Sequence, residues 1–278
     1  MSSSHTQSRV LQWIGIIIAL LVVGGAYWYF QVRASTLNQS KNDLVTNGLV
    51  GLWSFNGDDI SGTTAFDRSG NANNGTLTGG PTKVIGKIGQ ALNFDGTNDY
   101  VTAGSPASLD NMATLSACAW VNPDSRQIGA IIGKQKWELN LTATTGTVTF
   151  YRAFSSANPD WVTTAVVPLN TWTHVCVTYE SGSIANNPII YINGVVETLT
   201  ESTPPVGSAV AEDTYDLTVG AMDGGTTDFL DGKIDEARIY NRILSITEIQ
   251  SLYTQGGGTK VDSAVSQSTG TGRLDSGL

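Results

Sequence analysis

At 278 residues the chain is long enough for one large all-β unit of ~200–250 residues with accessories, and 31 glycines with only 14% charged residues favour strands joined by turns over helices. The formal net charge is −9, and residues 48–256 hold 21 acids against 10 bases, so this surface repels nucleic acid and anionic lipid and is compatible with calcium or neutral sugars. Cys118, Cys176, His5 and His174 sit at no zinc-finger spacing, which excludes a metal-finger module.

Residues 1–10 form a short polar tail, and from Val10 to Val32 no residue is charged. At ~1.5 Å per residue, residues 11–32 suffice for the ~30 Å hydrocarbon core of a bilayer, with Trp13 at one end and Tyr27, Trp28, Tyr29 and Phe30 at the other as interfacial anchors. The expectation is a single transmembrane helix. A cleaved signal peptide, offered by the small-residue site Val32-Arg33-Ala34, is the alternative, and would leave the protein secreted. Arg9 on one side and Arg33 and Lys41 on the other leave orientation by charge undecided. Residues 33–47 read as a flexible stalk.

The first strand is expected in Gly48–Phe55, with Leu49, Trp53 and Phe55 in the core. A turn cluster, Asp67 to Gly75, follows. Its alternating oxygens at Asp67, Ser69, Asn71 and Asn73 are those of a calcium loop, but Ala72 and Thr78 replace the Gly and Glu an EF-hand requires, so calcium ligation and Asx-turn chemistry both stay open. Gly86–Val101 reads as a hairpin about Asp95-Gly96. Further strands are expected at Leu115–Val121, Gln127–Lys134, Trp137–Leu141, Thr147–Tyr151, Trp172–Tyr179 and Tyr215–Ala221. Asn193-Gly194 joins Ile189–Ile192 to Val195–Val196. Asp228–Tyr253 changes period: branched and aromatic residues Ile234, Ile239 and Tyr240 read as a strand, then Ser245 and Glu248 form a capping box ahead of Ile246, Ile249 and Leu252 at helical spacing. That helix is expected to stop before Gly256. Residues 257–278 are a Gly/Ser/Thr-rich tail, read as disordered.

Several segments together, Asp67-Arg-Ser-Gly-Asn-Ala-Asn-Asn-Gly75, Gly86–Val101, Trp172–Tyr179 and the closing Asp228–Tyr253, resemble the LamG-like jelly-roll family, related to laminin G, pentraxin and concanavalin-type sandwiches. The resemblance covers residues 48–256 and implies a two-sheet antiparallel jelly-roll sandwich with one short C-terminal helix. It also implies a disulfide between Cys118 and Cys176, because pentraxins bridge the corresponding strands. Two paired cysteines belong in an oxidising compartment, which places the domain outside the cytoplasm. A pair of buried thiols is the alternative. One calcium ion is expected to join Asp67, Asn71 and Asn73 to the closing acids Asp231 and Asp235, or to use Asp223 in a pentraxin-type site where Gln135-Lys136 stands in place of another acid.

Concanavalin-type sandwiches include glucanases, whose retaining mechanism needs two carboxylates ~5–5.5 Å apart. Their Glu-x-Asp-x-x-Glu strand is absent, Asp235 and Glu236 are adjacent and point to opposite faces, and His174 stands alone, so no catalytic residue is assigned. The reading is a binding or adhesion module for carbohydrate or a surface polymer, with Tyr151, Phe154 and Trp161 as candidate ligand contacts, Trp161 being placed in a polar loop. A polysaccharide-active enzyme and a scaffold without soluble ligand are the alternatives.

Overall fold

A computed structural model describes residues 45–257, with the exception of residue 223. The expected membrane span, most of the stalk, the C-terminal tail beyond residue 257 and Asp223 lie outside the described residues.

The first strands are β1 (Leu49–Trp53), β2 (Ile60–Ser61), β3 (Thr64–Ala65), β4 (Gly75–Thr78), β5 (Thr82–Ile85), β6 (Gln90–Asp95) and β7 (Tyr100–Gly104). The middle of the chain gives β8 (Thr114–Pro123), β9 (Gly129–Lys134), β10 (Trp137–Leu141), β11 (Thr147–Arg152) and β12 (Asp160–Val166). After these come β13 (Thr173–Glu180), β14 (Ile189–Ile192), β15 (Val195–Val196), β16 (Leu199–Glu201), β17 (Leu217–Val219), β18 (Asp231–Tyr240) and the C-terminal helix α1 (Ile246–Gly257). They form two antiparallel sheets. One runs β15-β14-β13-β8-β18-β6-β5, with β1 also on β18; the other runs β16-β12-β11-β10-β9-β17-β7-β4-β3-β2.

Period-2 alternation in the strands supplies the layer between the sheets. Leu139, Phe150 and Trp161 from the ten-stranded sheet share one buried cluster with Val121, Val175 and Ile234 from the other. A second apolar layer lies on the far side of the eight-stranded sheet, where Ile249 and Leu252 of α1 cover Cys118, Cys176, Tyr191 and Tyr240. The cysteines are directly opposite in the β8/β13 ladder and are bonded, with S–S 2.06 Å. The capping box forms as expected: the Ser245 N–H donates to Glu248 Oε2 at 2.7 Å and the Glu248 N–H to Ser245 Oγ at 3.4 Å. Asn193 and Gly194 both take positive φ, +52° and +76°, which a two-residue hairpin turn matched to strand twist demands.

Three expectations change. Residues 160–166 are strand β12, so Trp161 is no loop residue; it is 1% exposed and packs between Phe150 and Tyr179 at ring distances of 6.2 and 5.7 Å. Trp172 stays half-buried, one residue ahead of β13. The helix continues through Gly256, where a side chain has no room: a Cβ would lie 2.3 Å from the Trp120 ring, on which Tyr253 also stacks at 5.6 Å. This glycine serves close approach and not a left-handed cap. Gly256→Leu is expected to push α1 off Trp120 and cost about 1–3 kcal/mol, read as a lower urea midpoint; an unchanged midpoint would refute the packing argument.

Candidate functional site

The turn after β3 is a hydrogen-bonded knot. Asp67 Oδ1 accepts from the N–H groups of Leu52 (2.9 Å) and Ser69 (2.8 Å), and Oδ2 from Ser69 Oγ (2.7 Å) and the Asn73 N–H (2.9 Å). Asn71 and Asn73 turn their amide NH2 groups onto the carbonyls of Leu49 (3.1 Å) and Val50 (2.7 Å). Both carboxylate oxygens of Asp67 are thus engaged, within the turn and with β1, while the two asparagine amides donate to β1. The distant partners do not converge either. Leu52 faces Arg238 and Asp231 faces Asp95, so Asp231 lies seven residues, ~23 Å, along β18 from the Asp67 knot. Asp235 is fully buried and its Oδ2 accepts the Ile88 N–H at 2.7 Å, which ties down the loop before β6. Asp67, Asn71, Asn73, Asp231 and Asp235 therefore do not fit a single bridging calcium ion. Among the described residues, the His, Cys, Asp and Glu groups that bring three ligand atoms within 4.8 Å are Cys118, His174 and Cys176, and those two sulfurs are bonded to each other.

A different surface carries unassigned polar chemistry. With Trp137, Leu139, Leu141, Val148, Phe150 and Trp161 turned into the core, the alternate residues of β10, β11 and β12 face outward. Register places Glu138 opposite Tyr151 and Tyr151 opposite Asp160, and in the next rung Asn140 opposite Thr149 and Thr149 opposite Val162. These two rungs floor a groove of about 490 Å³, walled by Gln135, Thr142 and Ser202 and by Met222 and Asp228. That size falls within the ~300–1,000 Å³ of small-ligand clefts. Strands are ~4.8 Å apart, so the groove offers a polar group at each such step.

Burial makes this floor chemically unusual. Glu138, Asn140 and Thr149 are only 5–6% exposed, and Thr149 Oγ1 is buried with no hydrogen-bond partner. Burial also raises the pKa of Asp160. A buried hydroxyl left without a partner costs stability in the free protein.

Of the residues singled out from sequence, Tyr151 lies in the groove, whereas Phe154 is 4% exposed and held by a bridge to Ala209, and Trp161 is sealed in the core. Neither can stack on a sugar as placed. Glu138, Asn140, Thr149 and Asp160 were missed. Their signal was the alternation in Trp137-Glu-Leu-Asn-Leu141 and Val148-Thr-Phe-Tyr151, which assigns one face to the core and the other to polar residues.

The sequence profile Laminin_G_3, described as the concanavalin A-like lectin/glucanases superfamily, matches residues 95–250, more than half of the chain. The chain belongs to this superfamily. Solved structures resemble it at low identity, which concerns the fold alone. The binding domain of Paraclostridial Mosquitocidal Protein 1 is 16% identical with TM-score 0.58, over 76% of this chain and 53% of that one. Domain 4 of AbnA, a GH43 extracellular arabinanase from Geobacillus stearothermophilus solved in complex with arabinotriose, is 24% identical with TM-score 0.57, over 74% and 98%. The binding domain of botulinum neurotoxin DC, in complex with rat synaptotagmin II, is 14% identical with TM-score 0.55, over 76% and 52%. The chain thus spans about half the length of the two toxin domains and nearly all of the arabinanase domain. No curated protein sequence matches it.

Proposed function

We propose that this concanavalin-like domain is a glycan-binding module whose ligand lies across β10, β11 and β12. The observation that carries the reading is the unpartnered, buried Thr149 hydroxyl in a groove lined by Glu138, Asn140, Tyr151 and Asp160. Carbohydrate recognition needs just such converging hydrogen-bond groups, with an aromatic ring to meet a sugar face. Support comes from the similar arabinanase domain, whose structure holds arabinotriose, and from similar domains that are binding units of toxins. We place the module outside the cytoplasm, held by residues 11–32, since a bonded cysteine pair suits an oxidising compartment.

The test is a glycan array followed by titration calorimetry on the full chain. Thr149→Val keeps the shape but removes the hydroxyl, so it is expected to leave stability equal or higher while weakening binding by roughly 2–12-fold. Tyr151→Ala is expected to weaken binding at least as much. Unchanged affinity in both variants would move the ligand elsewhere. Release of new sugar ends during incubation would replace the binding reading with a hydrolase.

A further inference from the structure

Resting on the glycan-binding reading, we infer that the groove selects uncharged saccharides and excludes uronate-, sulfate- and phosphate-bearing ones. Three carboxylates line it, from Glu138, Asp160 and Asp228, and no lysine or arginine is among the lining residues. The cations of β9 to β11 and of the turn between β9 and β10 are committed elsewhere. Lys134 is fully buried and pairs with Asp110, with Ser105 Oγ at 3.2 Å. Arg152 turns inward to Glu212, 2.9 Å away, where both are at most 5% exposed. Lys136 lies over the Tyr215 ring, 4.7 Å from its centre.

A second, independent observation makes this more than a patch of acids: Thr149, itself 5% exposed, lines the same groove, and its buried hydroxyl has no hydrogen-bond partner. A carboxylate accepts hydrogen bonds and donates none, while Thr, Asn, Gln and Tyr do both. The surface is therefore rich in acceptors and suited to the donating hydroxyls of a neutral sugar chain. An anionic group seated on the floor would lie about one strand spacing, ~5 Å, from a carboxylate. Repulsion from three such charges, even in water, predicts binding at least about tenfold weaker at low salt.

The experiment takes the tightest saccharide found on an array of neutral and anionic glycans, using the full chain. If it is neutral, its primary hydroxyls are oxidised to carboxylates and both forms are titrated at low and high salt against the unmodified protein and Asp160→Asn. The inference expects the oxidised form to bind at least about tenfold more weakly, with a gap that narrows in high salt and in Asp160→Asn. Comparable affinity for both forms, a gap indifferent to salt and to Asp160→Asn, or an array led by anionic glycans overturns the charge selection and leaves glycan binding standing. If no saccharide binds at all, the function proposed above fails, and the selection with it.

Discussion

Replacing both cysteines by alanine, or reducing the Cys118–Cys176 bond, is expected to lower the melting temperature by roughly 10–15 °C. The bond closes a loop across a sequence separation of 58 residues, and the chain-entropy relation gives about 4 kcal/mol for a loop of that length. A domain of ~200 residues shifts by about 2–4 °C per kcal/mol. The sulfurs lie beneath α1, each 0% exposed, in the layer with Tyr191, Tyr240, Ile249 and Leu252. Reduction of the folded protein should therefore proceed only as fast as α1 lifts, a local opening slower than reaction of an exposed bond. Calorimetry with and without reductant, beside the double alanine variant, measures the effect. A shift below about 3 °C would show that the bridge adds little to the β8/β13 ladder, and reactive thiols in unfolded, unreduced protein would show that it does not form.

The second large effect is a pair of opposed pH dependences. Asp235, Trp120 and His174 form one rung across β18, β8 and β13. His174 meets the Trp120 and Tyr253 rings at 5.2 and 6.2 Å, and burial, aided by the Arg238 charge, lowers its pKa from 6.5 to about 3. Burial raises the Asp235 carboxyl from 3.8 to about 7, opposed by the Ile88 N–H and reinforced by Glu236. In the folded state His174 stays neutral, so its contribution is lost as pH falls from about 6.5 towards 3. Asp235 has the reverse sign: its contribution is complete below about pH 4 and is lost as pH rises through about 7. Each change is on the order of 4 kcal/mol, at one pKa unit per 1.36 kcal/mol. Between about pH 4 and 6.5 the two slopes nearly cancel. Urea midpoints of the unaltered protein should thus vary little over that window. Asp235→Asn, which keeps an acceptor for Ile88, should make stability climb with pH, and His174→Phe should make it fall. Parallel curves for all three proteins would sink this account.

How much was legible beforehand depended on what each feature requires. The closing strand and capped helix rest on local spacing, and Ser245 with Glu248 carries that signal within four residues. The strand around Trp161 was hidden because Asn158-Pro159-Asp160 reads as a turn, while its pairing to β11 and β16 is set by residues far along the chain. The Asp67 turn has the residue types of both a calcium loop and an Asx knot. What separates them is which way the oxygens and amides face, and that is decided by Leu52, fifteen residues earlier. The groove required three strands in known register, since Glu138 and Asp160 become neighbours of Tyr151 only through the β10/β11 and β11/β12 ladders.

The β1/β18 ladder has a consequence for how the chain is born. Leu49 finds its partner in Tyr240, and the Tyr240 hydroxyl donates to the Val45 carbonyl across a separation of 195 residues. The strand made first therefore waits for the strand made nearly last. At ~5–20 residues per second, synthesis of the intervening chain takes about 10–40 s, during which Leu49, Val50 and Trp53 have no sheet to join. Folding dominated by such distant pairings is slow, and an apolar strand left open in the meantime invites association with other chains. Shielding β1 until β18 has emerged is therefore expected to raise the yield of folded chain.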